Sequence, residues 1–407
     1  MTAFDPSRYV EGQAPFPPEE YADRLARTRA EMARLGIDLL YVTSPANITW
    51  LTGYDSLWYR RSAPTGFAIR QDGGTLFFDK LGHRGLAQNL GNAIEEAVYF
   101  PRGGGDENAW GELIAFVADT LKGRGWLKGK AAVEHWASAP GGPLLRALEA
   151  AFAAAGAKTA DGSWLVDRVR LVMSPMELAV MHRAGGIADE VMRVIAGELH
   201  AGMTELEIQG LAQHELANRG CGEPALRTAV RSGALRGESH HTLPAPRPIH
   251  EGEIVIVDFS ASLWNYHVDI ARCFALGHAD QRWIDLLEKA SGSLDAACAQ
   301  VKPGEPMEKV IAVARAYLQE QGILEHAWFV GGYVQGVQVM PDWVGHVYLE
   351  GAGFEKSAFA PGMMTNYENV FDVRWPGGSC IDYIDMIEMT PDGLRPLSTL
   401  PRILTVV

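Results

Sequence analysis

Cysteine is scarce in this 407-residue chain. Its four cysteines, Cys221, Cys273, Cys298 and Cys380, include no C-x-x-C pair. They are too few for a disulfide scaffold and read as reduced thiols, as expected of a cytoplasmic protein. Basic residues are also in deficit. Thirty-six Lys and Arg face 50 Asp and Glu, a formal net charge of −14. That balance argues against non-specific binding of DNA or RNA, which needs a basic surface. It does not repel a cationic small molecule. The opening MTAFDPSRYVEGQAPFPPEE has no basic-then-apolar leader. No run of about 18 apolar residues occurs, so no membrane span is expected. What remains is an ordinary globular composition, 47% hydrophobic and 21% charged, long enough for two domains.

Residues 19–35 read as an amphipathic helix stopped at Gly36. IDLLYVT (37–43) and GTLFFD (74–79) read as buried strands, and LLRALEAAFAAAG (144–156) as another helix. This alternation predicts an α/β domain over residues 1–165. A second domain, 166–407, opens on two capped helices. Ser174-Pro175-Met176-Glu177 is a capping box with proline at the first helical position, and Thr204 to Glu207 repeats the box. HAGMTELEIQGLAQHELANRG (200–220) is similar to VKPGEPMEKVIAVARAYLQEQG (301–322), and strands are expected after each. Two related α+β halves with pseudo-twofold symmetry follow from that repeat.

The most informative segment is EIVIVDFSASLWNYHVDIARCF (253–274), two apolar strands around a turn near Leu263 to Asn265. That turn predicts Asp258 and Asp269 directly opposed, with Cβ atoms ~4.5–5.5 Å apart. Carboxylates that close need a cation between them or a proton on one. His241, in a polar Gly- and Pro-punctuated loop, can exchange protons near pH 7; two exposed histidines are the plain alternative. Glu368 shares a strand face with Asn366 and Val370, and spacing alone makes it a solvent-facing residue. On the strand 381–389, Asp382, Ile384, Met386 and Glu388 share one face, and Tyr383, Asp385 and Ile387 the other. GGYVQG (331–336) lacks the G-K-[ST] of a phosphate loop. Trp58, Tyr59, Arg60 and Arg61 read as a surface loop, or as a clamp for an anionic group.

In this order the segments resemble the creatinase, prolidase and aminopeptidase P group, whose fold is called pita-bread. SPANITWLTGYDS (44–56), VDRVRLVMSPMELAVMHRA (166–184), the Asp258–Asp269 strands and PGMMTNYENVFDV (361–373) carry the likeness. Metallopeptidases of that group hold two metals through two Asp, one His and two Glu. The resemblance places Asp258, Asp269 and Glu368 at three of those positions. Tyr333 stands at the histidine position and Ile384 at the last glutamate.

Three carboxylates are expected to hold a divalent metal such as Mn or Zn weakly at best. The likeness therefore leans to the creatinase and ectoine hydrolase branch, which cleaves C–N bonds without metal. Gly-Tyr followed by Pro341-Asp342-Trp343 carries that leaning. It implies carboxylates at Asp382 and Asp385, and a catalytic histidine at His241. Creatinase has a further histidine where this chain has Ile384, so creatine's own chemistry is not implied.

The function expected is metal-independent hydrolysis of a non-peptide C–N bond in a small amidine, guanidino or amide compound. Asp258, Asp269, Asp382 and Glu368 would hold its cationic group. His241 would move protons, and Tyr333 would donate to the tetrahedral centre. Tyr59, Arg60 or Arg61 would anchor a substrate carboxylate from the neighbouring subunit of a homodimer. Two alternatives stand beside it. One is a metal-dependent Xaa-Pro peptidase or lyase in which His241 or His346 completes the site. The other is an inactive binding protein on the same fold.

Overall fold

The computed structural model describes residues 16–59, 63–91, 93–101, 110–137, 139–237, 240–340, 343 and 357–407. They belong to two compact units, Met1–Arg170 and Leu171–Val407.

The first unit opens with helix Pro18–Leu35, ended by Gly36 in the left-handed region at φ 62°. Its six-stranded sheet runs β1 (Leu39–Val42), β2 (Gly66–Arg70), β3 (Thr75–Lys80), β4 (Ala97–Phe100), β5 (Lys130–Val133) and β6 (Lys158–Asp161). The spatial order is β4-β3-β2-β1-β5-β6, with parallel pairs at β3–β4, β1–β5 and β5–β6. Helices Trp110–Gly123 and Gly142–Ala154 bury Val117, Leu121, Leu145, Leu148 and Phe152 in one core with β1 and β5. This is the α/β domain that the alternation of elements predicts.

The second unit begins with helix Pro175–Glu198, whose Ser174 and Glu177 form the expected reciprocal cap. Thr204 and Glu207 cap helix Glu205–Asn218 in the same way. Strand β7 (Ala229–Ser232) and the hairpin β8 (Ile254–Leu263) and β9 (Tyr266–Ala275) follow. The order then repeats. Helices Gln281–Gln300 and Lys309–Glu320 precede strand β10 (Ala327–Gly331) and the hairpin β11 (Met364–Trp375) and β12 (Gly378–Thr390). The repeat seen at 200–220 and 301–322 is thus a repeat of helix, strand and hairpin. All six strands share one sheet in the order β10-β11-β12-β9-β8-β7, with β13 (Gly393–Pro396) beside β12 and β14 (Thr405–Val406) beside β9. Among the described residues no helix is long and apolar enough to cross a membrane.

One expectation about this sheet is corrected. Leu263 pairs with Tyr266, so the β8–β9 turn is Trp264-Asn265, both at positive φ (50° and 65°). That is the backbone of a two-residue hairpin turn, for which Asn is suited and Trp is not. The turn is centred one residue later than predicted. Asp258 therefore faces Ala271, and Asp269 faces Ser260. The two aspartates lie on one face but on a diagonal, with Cα atoms roughly 7–8 Å apart rather than directly opposed.

Candidate active site

Strand register assembles the site. Asp258 pairs with Ala271 on β9 and Ala229 on β7; Ala271 pairs with Ile384 on β12, and Ile384 with Glu368 on β11. One row thus crosses five strands with a carboxyl near each end and hydrocarbon between. Side chains two residues along a strand share its face. Asp269, Asp382, Asn366 and Arg231 therefore join Asp258 and Glu368 on that face.

Above it lies a cavity of about 350 Å³, lined by Asp258, Glu368, Asp382, Arg231, Thr228, His240 and His241 among others. Asp258 and Glu368 keep partial exposure, whereas Arg231, Asp269 and Asp382 are buried. Arg231 Nη2 donates to Asp382 Oδ2 at 2.7 Å. Asp269 Oδ2 accepts from Asn366 Nδ2 at 3.0 Å and from the Tyr333 hydroxyl at 3.2 Å.

Burial and mutual repulsion shift these acids. Burial, then Asp269, Asp382 and Glu368, push Asp258 well above the usual carboxylate range, and Arg231 opposes them. Glu368 is likewise raised, by burial, Asp382 and Asp269, against Arg231. Asp269 is pushed up to about 7, by burial first, despite its bonds from Asn366 and Tyr333. Asp382 is raised by burial and held down by Arg231.

A carboxyl with a raised folded-state pKa holds its proton more tightly folded than unfolded. Its effect on stability worsens as pH climbs from the ordinary carboxylate range toward the folded value. Asp258→Asn is therefore expected to raise Tm at pH 7.5 by roughly 2–4 °C, a gain that fades toward pH 4. Calorimetry checks this; a lower Tm at pH 7.5 contradicts it.

Arg231 and His240 are the residues that sequence reasoning missed. Arg231 stands in TAVRS, a short strand, at an inward position where an apolar residue is usual. That inward charge was the available signal. His240 Nδ1 lies 2.8 Å from Arg231 Nη1, and its Nε2 lies 2.9 Å from Asp372 Oδ1. A guanidinium only donates, so Nδ1 accepts and Nε2 carries the proton toward Asp372. The ring stacks on Trp328 at 4.5 Å.

The predicted site residues divide as follows. Asp258, Asp269, Glu368 and Asp382 come together. His241 lies on the cavity wall, exposed, at φ 62° and edge-on to Trp328. Tyr333 is buried and its hydroxyl donates to Asp269 Oδ2 at 3.2 Å. Asp385 is on the opposite face, where it pairs with Arg272 at 3.2 Å and accepts from the Tyr383 hydroxyl at 3.0 Å. Tyr59 packs edge-on against Tyr54 inside the first unit with its hydroxyl buried. Arg60, Arg61, Pro341, Asp342 and His346 lie outside the described residues.

This donor set does not fit a dinuclear metal centre. Ile384 puts hydrocarbon beside Glu368, Tyr333 faces Asp269 as a donor, and Arg231 already places a positive charge among the acids. Open coordination positions need lone pairs from imidazole, thiolate or carboxylate. Ligand atoms of His240, Asp372 and Cys380 also lie within 4.8 Å of one another. There Nε2 of His240 donates to Asp372, while the buried Cys380 thiol contacts Ile381 O at 3.3 Å.

Comparison with known proteins agrees with the architecture. Residues 179–391 match the model of metallopeptidase family M24, and residues 24–172 that of the creatinase/prolidase N-terminal domain. The chain belongs to family M24, a family of hydrolases, and its second unit has the pita-bread fold. It is 25% identical to an ectoine hydrolase of Halomonas elongata over 98% of this chain and all of that one. It is 24% identical to a Xaa-Pro dipeptidase of Pyrococcus horikoshii, over 58% of this chain and 64% of the relative. A dipeptidase structure from Pyrococcus horikoshii superposes with TM-score 0.78 at 22% identity, covering 94% of this chain and 100% of that one.

Proposed function

We propose that this protein hydrolyses a non-peptide C–N bond in a small amidine, guanidine or amide, without a catalytic metal. One observation carries the reading: a buried arginine, Arg231, is ion-paired within the acid cluster at 2.7 Å from Asp382. A metal pair and a guanidinium compete for the same acids. A cluster with its own fixed cation has room for one more modest cation, such as an amidinium, which pairs with carboxylates in fork geometry. The likeness to an ectoine hydrolase along nearly the whole chain supports the same reading.

In this mechanism the cationic head sits between Asp258 and Glu368. Glu368 as carboxylate takes a proton from water, and the water oxygen bonds to the electron-poor carbon. The C–N bond then breaks as the leaving nitrogen takes a proton from protonated His241; the hydroxyl left on carbon returns a proton to His241 as the amide forms, and Glu368 passes its own to the departing amine. Tyr333 acts through Asp269, holding that carboxyl in place. The sum is amidine plus water giving amide plus amine. A homodimer belongs to the same proposal.

The Xaa-Pro dipeptidase likeness favours a second reading, metal-dependent cleavage of dipeptides. Ammonia, amine and urea release over a panel of amidines, guanidines, small amides and Xaa-Pro dipeptides separates the two. Turnover within the first three groups is expected. Turnover of dipeptides alone would overturn the proposal.

A further inference from the structure

Beside the acids lies a second set of ligating atoms, of a different kind. Asp372 pairs with Cys380 across β11 and β12, so the two side chains share one face of the sheet. Asp372 shares the strand face of Glu368, and Cys380 that of Asp382. His240 joins them from the turn that follows helix Gly233–Gly237. Stacking on Trp328, with 13° between the ring planes, holds the imidazole, and its Nε2 lies 2.9 Å from Asp372 Oδ1. The ligand atoms of all three lie within 4.8 Å of one another.

Imidazole nitrogen, carboxylate oxygen and thiolate sulfur together are a donor set for zinc, and the sulfur selects it over magnesium or calcium. Tetrahedral bonds of about 2.0–2.3 Å place ligand atoms roughly 3.3–3.8 Å apart. Asp372 is exposed, so its carboxylate can swing to close the remaining gap, and water supplies the fourth position. The other thiol nearby, Cys273, is turned to the backbone of Asp382, 3.1 Å from its O and 3.4 Å from its N.

We infer that His240, Asp372 and Cys380 bind one zinc-class ion, and that the ion unties His240 from Arg231. To ligate, Nε2 must present its lone pair, so its proton moves to Nδ1, and the Cys380 proton leaves to solvent. Nδ1–H then faces Arg231 Nη1, 2.8 Å away, donor against donor, and the bond between them is lost. Arg231 is the fixed cation of the reaction proposed above, so an ion here controls the cavity and takes no part in its chemistry. That consequence rests on the proposed reaction; the binding site does not.

Titration of the full chain with cobalt(II), then zinc, tests both parts. One cobalt per chain is expected to give a thiolate-to-metal absorption band and to be displaced by zinc. Cys380→Ser should abolish the band and weaken zinc binding at least about tenfold. Asp372→Asn, at an exposed position that spares the fold, should weaken zinc equally and keep the band at higher cobalt. Cys273→Ser and Glu368→Gln should change neither. No binding, a cobalt complex without the sulfur band, or zinc affinity indifferent to Cys380→Ser and Asp372→Asn overturns the site. Zinc lost in Glu368→Gln but kept in Cys380→Ser overturns it too, and places the ion among the acids. Arg231→Met with Asp382→Leu removes the neighbouring pair without changing net charge. In that protein zinc should bind about tenfold more tightly, because no His240–Arg231 bond is left to break. Unchanged affinity there overturns the link to Arg231.

Discussion

Arg231→Met is expected to lower kcat/KM by about 10²–10³ and to cost about 3–5 kcal/mol of stability. The stability loss follows from leaving Asp382 buried without its partner, since the two side chains are both buried and 2.7 Å apart. The activity loss follows from the field. Arg231 is the opposing charge for Asp258 and Glu368 as well as Asp382. Without it all three hold protons more tightly and grip a cation less.

A misfolded variant would mimic the second effect, so a double replacement separates them. Arg231→Met with Asp382→Leu removes both charges of the pair, and such apolar substitution of a buried ion pair is often neutral or stabilising. The double variant should recover most of the lost stability and none of the activity. Recovery of both would mean that Arg231 serves the fold alone.

Glu368→Gln is expected to reduce kcat by about 10³, with Tm unchanged or raised. Glu368 opens onto the cavity, and burial among acids raises its pKa well above the ordinary range. A base with its pKa raised in this way takes a proton from water more readily than an ordinary carboxylate does. The acid limb of the pH–rate profile should therefore lie above the usual carboxylate range, and it should vanish in the variant. A Glu368→Gln protein with ordinary turnover and an unchanged limb would assign the base elsewhere.

The contrast between what was readable and what was not is physical. Capping boxes at Ser174 and Thr204 and the stop at Gly36 are local chemistry, and each appears where the sequence puts it. The strand alternation that separates Asp382 from Asp385 is local too, and the sheet keeps it. The likeness to a family, by contrast, gave both aspartates to the site. Register is less local. Trp264 at φ 50° is a poor turn former by its side chain, so the sequence centres the turn one residue early and sets the two aspartates opposite each other.

Partnership across the sheet is the least legible. Nothing near Arg231 in sequence announces Asp382, 151 residues away. Only the strand order β12-β9-β8-β7 brings them to one face. The same distance hides the tautomer of His240, which depends on Arg231 and on Asp372.

Turnover by metal-stripped protein tests the central claim most directly. Protein dialysed against a strong chelator, with its metal content measured by elemental analysis, is assayed on whichever amidine, guanidine or amide the intact protein cleaves. The fixed guanidinium among the acids predicts full retention of rate at well below one metal per chain. Loss of activity on stripping, restored by Mn or Zn at about one or more ions per chain, would contradict it and establish the acids as metal ligands.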